Sequence, residues 1–107
     1  MTNTVTATDT NGNLLRVRIP TDSARLLWEK TRLHDHSSGA TACWVGYSGR
    51  ILVKYTSRWD RGDGCPVGDT YEVFSPSKCM LEELPEELRE EVLEYWETNG
   101  YLEAEAL

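Results

Sequence analysis

No stretch of this sequence approaches the roughly 18–20 consecutive apolar residues that a membrane span requires. The first ten residues hold neither the basic cluster nor the apolar segment of an export signal. Cysteine is sparse and odd in number: Cys43, Cys65 and Cys79 stand far apart, with no Cys-x-x-Cys pair among them. Such spacing does not encode a disulfide framework, and the expectation is a cytoplasmic protein with three reduced thiols. A Gly-rich phosphate loop and a Ser/His/Asp motif are also missing, which leaves the sequence without an identifiable catalytic set. Basic residues are nearly absent from the last quarter of the chain, where Arg89 stands alone, and the whole carries a net charge of -7. A field of that sign argues against direct binding of duplex nucleic acid, which relies on Lys and Arg to release counterions, and against docking on anionic membranes.

What remains is the composition of an ordinary folded protein: 107 residues, 39% hydrophobic and 27% charged, enough for one domain over residues 1–107 with its own core. Residues 5–10 and 14–19 flank Asn11-Gly12, the pair best suited to a type I′ hairpin turn. Thr21, Asp22 and Ser23 are candidate N-caps for a helix through residue 33, with Ala24, Leu27 and Trp28 as its apolar stripe. A second hairpin pairs residues 41–47 with 50–56 across Ser48-Gly49. In it Tyr47, Ile51, Val53, Tyr55 and Trp59 point inward to fill the core, and Arg50, Lys54 and Arg58 outward. A weaker strand covers 69–74. Ser75-Pro76 opens a short helix, and Pro85 opens a second in which Leu88, Val92, Tyr95 and Trp96 form the buried stripe. Asn99-Gly100 supplies the left-handed stop, and residues 101–107 form a docked or fraying tail. The expected fold is α+β: an antiparallel sheet of about five strands, built from two hairpins, with the acidic helical C-terminus packed on one face.

Charge is unevenly distributed. Residues 82–107 hold ten glutamates against one arginine, a balance of -9, whereas residues 1–81 hold ten basic and eight acidic side chains, a balance of +2. Glu82, Glu86, Glu90 and Glu94 form one i,i+4 row, and Glu83, Glu87 and Glu91 a second. Like charges at that spacing cost a helix about 0.2–0.5 kcal/mol per pair, and Glu94 and Glu97 sit at the end of the helix dipole that disfavours anions. Stability alone would interleave lysines. Carboxylates one turn of about 5.4 Å apart have a spacing comparable to the step between phosphates on one strand, so the helix reads as an anionic ridge for a basic protein groove. Glu86, Glu87, Glu90, Glu91, Glu94 and Glu97 carry the charge, and Tyr95, Trp96 and Tyr101 are the aromatic contacts beside it. The bland alternative is a solvated helix face built from a good helix former. A third reading is self-association, with the basic row Arg16, Arg18, Arg50, Lys54 and Arg58 facing the acidic helix of a second copy.

Metal binding is the alternative from another class. His34 and His36 with Cys43, Cys65 and Cys79 supply zinc ligand types at unfavourable spacing. Asp60, Asp63 and Asp69 lie in a Gly-rich loop but miss the spacing of a calcium-binding loop. Cys65 with His34 or His36 is the most plausible nucleophilic pair for a small enzyme subunit, though no base is positioned by sequence. Arg61-Gly62-Asp63 is the integrin-binding triplet, a three-residue match of little information. No cofactor site is evident.

The segment LPEELREEVLEY, residues 84–95, resembles helices of many small bacterial proteins, some of them antitoxin-like. In size and charge the chain is similar to small acidic inhibitors of phage and plasmid origin. Such a likeness implies a non-enzymatic regulator, in its most concrete form one that blocks a nucleic-acid-handling enzyme by charge mimicry.

Overall fold

A computed structural model describes residues 3–30, 38–57 and 68–103. The fold is α+β. Six strands, β1 (Thr4–Thr8), β2 (Leu14–Arg18), β3 (Leu26–Glu29), β4 (Ser38–Val45), β5 (Ile51–Ser57) and β6 (Gly68–Phe74), form one sheet in the order β2-β1-β6-β5-β4-β3. The pairings are antiparallel except where β1 meets β6 in parallel at Thr8 and Glu72, so the sheet is mixed and one strand wider than the antiparallel five expected. Two helices, α1 (Lys78–Glu83) and α2 (Glu86–Thr98), follow. Among the described residues no helix is long and apolar enough to cross a membrane.

The extra strand replaces the helix expected over residues 21–33. Asp22 does cap, its carboxylate accepting from the Ala24 amide at 2.9 Å, but only a single 3₁₀ turn (Ser23–Arg25) follows before the chain extends into β3. The stripe of Leu27 and Trp28 fits a strand as well as a helix, and an open edge on β4 decides between them: Leu26 pairs with Trp44, Trp28 with Cys43 and Glu29 with Ala42. Residues 31–33 lie outside those described.

β2 and β3 occupy opposite edges, so residues 19–25 carry the chain across the whole sheet. Five strand spacings of about 4.8 Å make about 24 Å. That nearly exhausts a connection whose middle is contracted to about 2 Å per residue by the 3₁₀ turn. Val17 of β2 and Trp44 of β4, four positions apart in the strand order, accordingly line one crevice, so the sheet curls towards the connection. On the curled face Ala7, Leu52 and Val73 are buried, with Leu15, Val17, Ile19, Trp44 and Tyr71 packed round them, although α1 and α2 both lie on the other side. The other face holds the larger core. Cys43, Val45, Ile51, Val53 and Phe74 lie beneath Leu84, Leu88, Val92 and Trp96. β5 is thus buried on both sides, with Ile51 and Val53 against the helices as expected, and Leu52 against the second core.

The type I′ turn expected at Asn11-Gly12 forms at the second hairpin and not at the first. At the first, only Gly12 has a positive φ (82°). The Asp9 carboxylate accepts from the amides of Asn11 and Asn13, both at 2.9 Å, and the Gly12 amide donates to the Asp9 carbonyl. That geometry is a three-residue loop with a left-handed glycine closing a bulge. The type I′ turn forms instead at Tyr47–Arg50, where Ser48 (φ 59°) and Gly49 (φ 77°) are both left-handed. α1 starts two residues later than Ser75-Pro76 suggests, because the Ser77 hydroxyl takes the Met80 amide at 3.2 Å. α2 ends as expected: the Tyr101 amide donates to the Trp96 carbonyl at 2.8 Å and that of left-handed Gly100 to Glu97.

The end of α2 locks onto the β4–β5 turn. Trp96 is fully buried, and its indole Nε1 donates to the Gly49 carbonyl at 2.7 Å. On the other side of that turn a Cβ at Gly49 would lie 2.7 Å from the Tyr101 ring, so glycine serves both the φ angle and the aromatic contact. Trp96→Phe keeps most of the apolar bulk but strands the carbonyl of the buried Gly49. It is expected to destabilise by about 1–3 kcal/mol, visible as a fall of several degrees in the thermal midpoint by circular dichroism. Ser48→Asn, which places a residue tolerant of left-handed backbone at a strained serine, is expected to raise stability by roughly 0.5–1 kcal/mol in the same melt.

Candidate functional site: the acidic face of α2

α2 is amphipathic in the strict geometric sense. At 100° per residue, the buried stripe of Leu88, Val92 and Trp96 leaves Glu87, Glu90, Glu94 and Glu97 on the opposite side. Glu86 and Glu91 flank that side, Glu91 towards Tyr95. All six glutamates are exposed. Within α2 they make three i,i+4 and three i,i+3 like-charge pairs, a repulsion of about 1–3 kcal/mol in total. Burial of Leu88 and Val92 alone, at about 1.5–3 kcal/mol each, offsets it. The core therefore holds the helix in place in spite of its outer face.

The ends of the helix follow the same logic. Glu86 and Glu87 occupy the first turn, where the dipole favours them, while the last turn has no basic residue. There the Asn99 side-chain amide donates to the Tyr95 carbonyl at 2.8 Å, covering one of the open carbonyls. Arg89 sits on the same helix yet directs its guanidinium at the end of α1, donating to the carbonyls of Leu84 at 3.2 Å and Glu82 at 3.0 Å.

Of the aromatic residues expected beside the ridge, Trp96 belongs wholly to the core and is removed from the candidate contacts. Tyr95 is half-buried and Tyr101 is 39% exposed, their ring centroids 6.2 Å apart. The strongest exposed aromatic was not foreseen. Tyr47, expected to fill the core, stands 78% exposed at the β4–β5 turn, with the Arg25 guanidinium 5.2 Å from its ring centroid. Its place immediately before Ser48-Gly49 is the signal that could have marked it, because turn residues leave the alternation of the strand.

The basic row does not form one surface. Arg16 alternates with Leu15 and Val17, so it lies on the helix side of the sheet, while Lys54 shares the curled face with Leu52. Arg18, the last residue of β2, and Arg50 line a crevice at the end of the sheet. Arg16 donates to the Thr6 hydroxyl at 2.7 Å. Lys54 pairs with Asp69 at 3.6 Å, and the other Asp69 oxygen accepts from Thr56 at 2.9 Å. Arg58 lies outside the described residues, as do His34, His36, Asp60, Asp63, Cys65 and the Arg61-Gly62-Asp63 triplet. Of the remaining metal candidates Cys79 is exposed on α1 and Cys43 is buried. Burial, aided by the charge of Glu91, pushes the Cys43 thiol up to about 12, which keeps it protonated and inert. Among the described residues no three His, Cys, Asp or Glu side chains are grouped to hold a metal ion.

No protein-family model, curated protein or solved structure matches this chain.

One carboxylate lies apart from the ridge. Glu72 on β6 is half-buried and takes a hydrogen bond from the Tyr55 hydroxyl. Burial, and then the nearby charge of Glu83, raise its pKa above the ordinary 4.5, against the opposing pull of the Tyr55 bond. The folded chain thus holds this proton more tightly than the unfolded one. Its contribution to stability is complete below the ordinary glutamate value and is lost as pH rises through the raised folded value. Glu72→Gln, which keeps an acceptor for Tyr55, is expected to raise the neutral-pH melting temperature by a few degrees and to flatten its fall between acid and neutral pH. An unchanged pH profile would mean that Glu72 is ordinarily solvated.

Proposed function

We propose that this chain is a non-enzymatic binding protein that presents the exposed face of α2 to a basic site on a partner protein. The observation that supports the reading is the combination of six exposed glutamates on one side of a helix with an anchor on the other that fixes its orientation. Carboxylates set on a rigid helix lose little freedom on binding, which favours affinity. Their common sign raises the rate of encounter with a cationic surface. Tyr95 and Tyr101, at the C-terminal end of the ridge, supply the apolar contact that charge alone does not. A nucleic-acid-handling enzyme is the partner that fits this chemistry best, because its substrate groove is built to receive a row of anions. The protein would then act as an inhibitor that occupies the groove as a nucleic-acid mimic, within the cytoplasm.

The test compares wild type with a variant carrying Glu86, Glu87, Glu90, Glu91, Glu94 and Glu97 as Gln, both immobilised and exposed to lysate of the source cell. Wild type is expected to retain a basic protein that is released by salt and by excess duplex DNA, and the variant to retain none of it. Removal of like-charge repulsion should leave the variant at least as stable as wild type by circular dichroism. Identical capture by both proteins would reduce the glutamates to a solvated face.

A further inference from the structure

Basic, aromatic and acidic groups follow one another across a single region of the surface. A crevice runs from the end of β2 to the β4–β5 turn over a floor that includes Pro20 and Trp44, and Arg18, Arg25 and Arg50 line it. These are three of the basic side chains of an otherwise acidic protein. Arg18 joins the deeper part, beside Trp44 and Leu52, to an open part bounded by Arg25 and Tyr47. Beyond Tyr47 the turn reaches Gly49, against which Tyr101 packs, and Tyr101 leads to Tyr95. Arg25 is near enough to Tyr95 for its charge to act on the phenol. Glu91 and Glu94 lie within one turn of Tyr95 on α2. Followed from the crevice through Tyr47, Tyr101 and Tyr95 to α2, the surface thus runs from cation through exposed tyrosine to anion.

A patch in that order is complementary to itself under a two-fold rotation. A two-fold interface presents the same surface twice in opposite directions, so the arginines of one copy would meet the glutamates of the other. Tyr47, 78% exposed in the single chain, would be covered near the axis. We propose that the protein forms a two-fold dimer through this patch, with Arg18 and Arg50 of each copy paired with Glu91 and Glu94 of the other. The occupant of the crevice is then a second copy of the chain. Charge order argues for it: an unrelated acidic ligand would satisfy the arginines but leave the adjoining carboxylates without a counterpart. The dimer covers part of α2, so self-association competes with a basic partner for the same helix and sets how much acidic face is free.

Charge reversal tests the pairing. Sedimentation velocity over a concentration series is run on wild type, on Arg18→Glu/Arg50→Glu, on Glu91→Lys/Glu94→Lys, and on an equimolar mixture of the two variants. Wild type is expected to dimerise, and each reversed protein to lose affinity for itself by about 100-fold. The mixture is expected to recover a dimer, because each interface then holds one basic and one acidic side. Tyr47→Ser, at an exposed position that the fold does not require, is expected to weaken the dimer without lowering the melting temperature. The proposal is overturned by a wild type that stays monomeric at millimolar concentration. It is equally overturned by reversals or a Tyr47→Ser change that leave the dimer intact, or by a mixture of folded variants that stays monomeric. The Arg18→Glu/Arg50→Glu variant keeps the whole acidic face and should still capture a basic partner, so this inference and the proposed function fail separately.

Discussion

The hydrogen bond from the Trp96 indole to the Gly49 carbonyl joins the two halves of the molecule. One half is a sheet whose central strand is buried on both faces, and the other is a helix that would repel itself if left in water. A β4–β5 turn with two consecutive left-handed residues places the Gly49 carbonyl where the indole can reach it. The same turn, free of a Cβ at Gly49, accepts the Tyr101 ring on its other side. Helix position, helix termination and turn type are therefore one constraint. The left-handed stop at Gly100 brings Tyr101 back to the turn, and the buried Trp96 fixes the rotation of α2 about its axis. That rotation decides which side chains face water, and hence that the glutamates form a ridge instead of a scatter.

The curl of the sheet is the second consequence of chain geometry. A short connection between opposite edges obliges the sheet to bend, and the bend buries Ala7 and Leu52 on the side away from α1 and α2. It also brings the end of β2 beside the β4–β5 turn, which is how Arg18 and Arg50, remote in sequence, come to line one crevice. No pattern within a strand announces that meeting. It depends on which strands are edges, and the edges depend on β3 taking the place beside β4.

The legible and illegible parts of the fold divide along the same line. Signals confined to one element were readable. The Leu88, Val92 and Trp96 stripe, the Gly100 stop and the inward Ile51 and Val53 all follow from a repeat of 3.6 or 2 within a short window. Signals that depend on another element were not. Leu27 and Trp28 suit helix or strand, and the free edge of β4 settles the matter. Asn11-Gly12 favours a type I′ turn until the Asp9 carboxylate captures two loop amides. Tyr47 looked like a core residue by alternation until the turn rotated it outward. For the candidate site, the glutamates were evident from composition. The loss of Trp96 to the core and the arrival of Tyr47 and Arg25 beside the ridge required the tertiary structure.

A net charge of -7 suggests a uniformly acidic object, and the surface argues otherwise. The glutamates occupy the outer side of α2, and three arginines gather along the crevice at the other side of an exposed tyrosine. Within one Debye length, about 8 Å at physiological ionic strength, a partner meets the local field and not the total. Charge separated in this way, across an aromatic that water does not favour, fits a surface used for contact better than one used only for solubility. A solvating coat would gain nothing from segregation, because mixed charges keep a small protein dissolved equally well and avoid the repulsion along α2. The repulsion is small against the burial that anchors the helix, so the fold can carry it. The cost is nonetheless incurred on one face of one helix, the face that the Trp96 anchor holds in a fixed direction.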